Sequence, residues 1–110
     1  MKPKELNLDD ALNLLYTEKN PRVRVDLGDS EETLDTNALR VLLILRSSKP
    51  SARSLVVMRK YGRGHHAETI KTTLEPFGLA EREEKKDIHD TYIITKKAEE
   101  ATYLIYPSGV

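Results

Sequence analysis

The stretch that most constrains this chain runs from Ala67 to Thr95, AETIKTTLEPFGLAEREEKKDIHDTYIIT, because its apolar period changes part-way along. Ala67, Ile70 and Leu74 stand at i, i+3 and i+7 and share one face of a helix. Pro76 and Gly78 then end that helix. Proline has no N–H for the ladder, and glycine accepts the left-handed conformation in which helices stop. From Leu79 the pattern shortens to that of a strand, a charged turn follows at Lys85–Asp90, and Thr91-Tyr92-Ile93-Ile94-Thr95 supplies the β-branched and aromatic residues of a second strand. The order is helix, glycine stop, strand, polar turn, strand.

At 110 residues the chain is expected to form a single domain with its own core. It has no cysteine, which excludes disulfides and thiolate–zinc sites and favours an intracellular, cytoplasmic setting. No apolar run approaches the roughly 20 residues that span a bilayer. The absence of glutamine beside abundant Lys, Arg and Glu is a composition reported for thermophile proteins and suggests a thermophilic, archaeal source. Net charge is zero, but it is unevenly spread. Residues 38–74 carry eight basic side chains (Arg40, Arg46, Lys49, Arg53, Arg59, Lys60, Arg63, Lys71) against Glu68 alone, a local charge of +7. Phosphate contacts supply most non-specific DNA affinity, so this local excess matters more than the total.

Residues 5–17 read as a helix with Leu8, Leu12 and Leu15 on one face and Asp9 and Asp10 near its N-terminus, where the helix dipole favours negative charge. Arg22–Leu27 alternates as a half-buried strand ended by Gly28-Asp29. Ser30 is expected to cap the next helix, with Glu31 and Glu32 in its first turn. Leu34, Ala38, Val41, Leu42 and Leu45 mark its inner stripe, and Leu39, Leu43 and Ile44 make it apolar most of the way round, so it is expected to be the central helix. Ser51 caps a helix to Lys60 or Tyr61. Thr95 is expected to cap a last helix, Lys96 to about Tyr106.

Leu74, Phe77-Gly78-Leu79, Arg82 and Tyr92-Ile93-Ile94-Thr95 together resemble the winged helix-turn-helix family over about residues 31–106, with residues 1–30 as an N-terminal helix–strand extension. The resemblance implies an α+β fold, a recognition helix over 66–76 and a wing at 85–90. Pro76 stands where a helix-compatible residue is usual, so the last turn of that helix is expected to be frayed or 3₁₀.

The helix face opposite Ala67, Ile70 and Leu74 holds His65, Glu68, Thr69 and Thr72, with Lys71 and Thr73 on its flanks. In a major groove, Thr69 and Thr72 can touch base edges or thymine methyls. Lys71, Arg63, Lys49 and Arg53 then reach phosphates, and Lys85 and Lys86 at the wing tip lie along the backbone. The bland reading of all these residues is a solvated, charged surface. Glu68 is discordant, since it repels phosphate, although it can accept from a cytosine amine. His65 and His66 point about 100° apart on a helix, and no cysteine completes a metal site with them or with His89. Tyr92, Tyr103 and Tyr106 read as core and interface residues rather than a stacking platform. There is no nucleophile–base–orienter set and no glycine-rich phosphate loop, so neither an enzyme nor a cofactor is expected.

The expected function is therefore sequence-specific binding of double-stranded DNA by a transcriptional regulator. The alternative is a protein-interaction subunit of a DNA replication, repair or segregation assembly, which would bury residues 65–73 against a protein partner. A winged helix alone reads few base pairs, so a homodimer on two half-sites is expected. Leu8, Leu12, Leu15, Tyr103 and Leu104 are its candidate interface.

Overall fold

The computed structural model describes residues 2–47, 68–82 and 92–106. The fold is mixed α+β, with helices packed against antiparallel sheets. In chain order the elements are β1 (Lys4–Leu6), α1 (Leu8–Thr17), β2 (Val23–Asp26), β3 (Glu31–Leu34), α2 (Thr36–Ser47), a π-helical turn (Ile70–Leu74), β4 (Ala80–Arg82), β5 (Tyr92–Ile94), α3 (Lys96–Glu100) and β6 (Thr102–Ile105).

Four strands form one sheet in the order β1-β6-β2-β3, and β4 pairs with β5 in a second. The last strand of the chain is thus internal to the first sheet. Tyr103 lies opposite Leu6 on one side and Val25 on the other. Residues 1–30 are therefore not an appendage, because they supply both strands that flank β6.

Several sequence expectations are corrected by these elements. The last helix ends at Glu100 rather than Tyr106, and Ala101 leads in extended conformation into β6. Thr102-Tyr103-Leu104-Ile105 is rich in β-branched and aromatic residues, which pack better on a pleated surface than on a helix. Glu31 and Glu32 belong to β3, not to a helical first turn. Asp26 to Glu31 is a tight hairpin in which Gly28 takes φ +92° and donates to Asp26 Oδ1 at 2.9 Å, while Leu27 N–H donates to Ser30 C=O at 2.8 Å. The cap of α2 is consequently Asp35, whose Oδ1 accepts from Ala38 N–H at 2.9 Å. Residues 4–6 are strand, so the first helix begins only after Asn7, whose side chain caps it by accepting from Asp10 N–H at 2.8 Å.

Helix α2 is the centre of the molecule, as its all-round apolar character implies. It packs against α1, β3, β5 and the π-helical turn. Ala38, Leu39, Val41, Leu42, Ile44 and Leu45 are all buried. Arg46 at its far end pairs with Asp9 of α1 at 2.8 Å. Val23, Val25, Leu34 and Tyr103 bring the inner face of the sheet into the same core.

Tyr92 is buried in that core beside α2, and its hydroxyl has no hydrogen-bond partner among the described residues. An unsatisfied buried hydroxyl costs about 1–3 kcal/mol. Tyr92→Phe removes that cost without opening a cavity. The variant is expected to be more stable than the parent by about 1 kcal/mol in urea unfolding. Destabilisation of the same size would show that the hydroxyl is satisfied.

Candidate nucleic-acid interface

Among the described residues, segment 68–82 is held to the body through its apolar face. Ile70 and Leu74 are completely buried and anchor it against α2, and Leu79 and Ala80 continue the buried edge into β4. Its middle is wider than expected, while its last turn around Pro76 is tight as expected, with Gly78 N–H donating to Glu75 C=O at 2.9 Å across three residues. Glu75 N–H donates to Ile70 C=O at 2.7 Å, and Leu79 N–H donates to Leu74 C=O at 2.9 Å. Both bonds span five residues, whereas a 3₁₀ turn spans three. The second of them spans Pro76, which has no N–H to offer. Gly78 then reverses the chain with φ +78°, where a side chain would be strained, and a Cβ there would stand 3.3 Å from the Lys97 side chain.

Thr95 locks this corner. Its hydroxyl donates to Gly78 C=O at 2.6 Å and accepts from Ala98 N–H at 3.1 Å, while its own N–H donates to Leu79 C=O at 3.1 Å. The hairpin β4–β5 is thereby tied both to the end of the helical segment and to the start of α3. Ala80 pairs with Ile94, and Arg82 with Tyr92.

The outward face of the segment presents Glu68, Lys71 and Thr72, all exposed. Thr69 and Thr73 are half-buried. They line a shallow depression with Asp35, Asn37, Glu68 and Thr72. The Thr72 hydroxyl donates to Glu68 C=O at 2.8 Å, so its proton is engaged, and what it offers outward is its methyl group and one acceptor. Of the residues expected to contact DNA, the structure brings Thr69, Lys71 and Thr72 together. Lys49, Arg53, Arg63, His65, Lys85 and Lys86 lie outside the described residues.

A second depression, lined by Asn20, Arg22, Asp35, Thr36, Asn37 and Arg40, shares Asp35 and Asn37 with the first. The strip from Arg22 to Thr72 is therefore continuous. The sequence alone neither singles out Arg22 nor places Arg40 in a site. Asn37 and Arg40, three apart on a helix, carry a usable signal for Arg40.

The five residues assigned to a dimer contact are mostly committed to the chain's own core. Leu8, Leu12 and Tyr103 are buried in it, Leu104 is 7% exposed, and Leu15 is half-buried against it. Burial also pushes the Tyr103 phenol well above the ordinary tyrosine range, only partly offset by Arg46. Tyr106, by contrast, is exposed. Its hydroxyl donates to Glu31 Oε1 at 2.5 Å, and this bond raises its pKa. Arg24 pairs with the same Glu31 oxygen at 3.2 Å and lies over the Tyr106 ring.

No protein-family model, curated protein or solved structure matches this chain. Among the described residues, no group of three or more histidine, aspartate or glutamate side chains could hold a metal ion, and no helix is long and apolar enough to cross a membrane.

Proposed function

We propose that this chain is a sequence-specific double-stranded DNA-binding protein of the winged helix-turn-helix type, acting as a transcriptional regulator. The observation that carries the reading is the asymmetry of segment 68–74. Ile70 and Leu74 are fully buried against α2, while Lys71 and Thr72 stand exposed, and a paired β-hairpin follows directly after the glycine stop. A reading helix needs this arrangement, with one face fixed to the body and the other offered to a groove. The local charge of +7 over residues 38–74 supplies the attraction to phosphate. Wide helical turns of the kind at Ile70–Leu74 recur at functional sites. A homodimer on two half-sites belongs to the same proposal, with its contact made by exposed groups rather than by Leu8, Leu12, Tyr103 or Leu104.

The test is a binding site selected from random duplexes, then measured with variants. Thr69→Ala with Thr72→Ala is expected to weaken the selected site by roughly 1–3 kcal/mol for each base recognised, and to leave random duplex almost unaffected. Lys71→Ala is expected to weaken both, because a phosphate contact carries no sequence information. Unchanged binding of the selected site by the double variant would remove this helix as the reader. A failure to select any site would favour the protein-interaction reading.

A further inference from the structure

Residues 2–47 contain four arginines, and they divide into two kinds. Arg24 and Arg46 are held in ion pairs, with Glu31 and Asp9 respectively. Arg22 and Arg40 have no ion pair among the described residues, are both exposed, and line the same depression at the start of α2. The backbone leading into Arg22 is held in place. Pro21 before it is buried, and its carbonyl accepts from the Thr36 hydroxyl at 2.8 Å, which ties the lead-in of β2 to the first residue of α2. Arg40 follows one helical turn after Thr36. The depression also carries the amide side chains of Asn20 and Asn37.

We infer that Arg22 and Arg40 form a phosphate clamp for the duplex backbone, next to the reading face of segment 68–72. The inference rests on the DNA reading proposed above and extends its footprint onto β2 and α2. The two depressions meet at Asp35 and Asn37, so a duplex laid against Lys71 and Thr72 continues toward the two arginines. Guanidinium groups suit this task, because each presents a planar fork of donors to phosphate oxygens. Asp35 opposes an anion here. Its Oδ1 is turned to the Ala38 N–H as the cap of α2, and the helix dipole compensates part of its charge. Arg22 and Arg40 outnumber it.

The test is the salt dependence of binding to a random duplex for the parent chain and for Arg22→Ala with Arg40→Ala. Each phosphate contact contributes about 0.9 to the slope of log K against log[salt]. The double variant is expected to show a slope shallower by about 2, with the same fractional loss of affinity on random and selected duplexes. Arg22→Lys with Arg40→Lys retains both charges and is expected to recover most of the slope, which separates charge from any change in folding. A double alanine variant that binds with the parent's slope would overturn the clamp and leave the DNA reading standing. A parent chain that binds no duplex at low salt would overturn both.

Discussion

Tyr103→Ala is expected to destabilise the chain by about 3–5 kcal/mol, a large part of the roughly 5–15 kcal/mol that holds a typical domain folded. Tyr103 is completely buried in the internal strand of the larger sheet, between Leu6 of β1 and Val25 of β2. Its ring fills the space between that sheet and the helices. Its hydroxyl donates to Ala98 C=O at 2.6 Å, satisfying a carbonyl in the short helix α3. Truncation leaves a cavity where the two ends of the chain meet and orphans that carbonyl. Tyr103→Phe keeps the ring and loses only the hydrogen bond, so its expected cost is about 1–3 kcal/mol. Urea unfolding of the three proteins checks the order. An alanine variant as stable as the parent would place Tyr103 at the surface, where a helix running on to Tyr106 would leave it.

The elements legible in the sequence are those whose pattern is local. The period change across Pro76–Gly78 marks the hairpin β4–β5, and the all-round apolar run marks α2 as the central helix. Thr95 is identifiable as a cap because Thr followed by a charged helical turn is a local signal. Its second bond, to Gly78 C=O, joins residues 17 apart and has no sequence signature.

The features that escape the sequence depend on pairing between distant segments. Thr102–Ile105 lies between β1 and β2, strands from the opposite end of the chain, and only the fold shows that partnership. Glu31–Leu34 has the local look of a helical first turn, because acidic residues after a serine are a common helix start. Pairing with Val23–Asp26 overrides that local preference. The same limit applies to the site. The helical wheel turns Lys71 and Thr72 outward, and both are exposed. Thr69 is half-buried, because the start of α2 lies beside it. Arg22 is brought to the strip by the β2–β3 pairing and the Thr36–Pro21 hydrogen bond, contacts between separate segments of the chain.

The second large effect is the salt sensitivity of duplex binding. Four to six phosphate contacts predict a slope of log K against log[salt] of roughly −4 to −5. Raising salt from about 50 to 200 mM is then expected to weaken binding by about 10²–10³-fold. The basic excess of residues 38–74, together with Arg22, is the proposed source of that slope, and the chain's zero net charge makes it a sharp test, since a protein without a local patch has no reason to bind a polyanion. The most direct measurement is a fluorescence anisotropy titration of a random duplex with the full 110-residue chain across that salt range. Tight binding at low salt with a slope of roughly −4 to −5 is the predicted result, and no binding at low salt, or a slope near zero, would contradict the account.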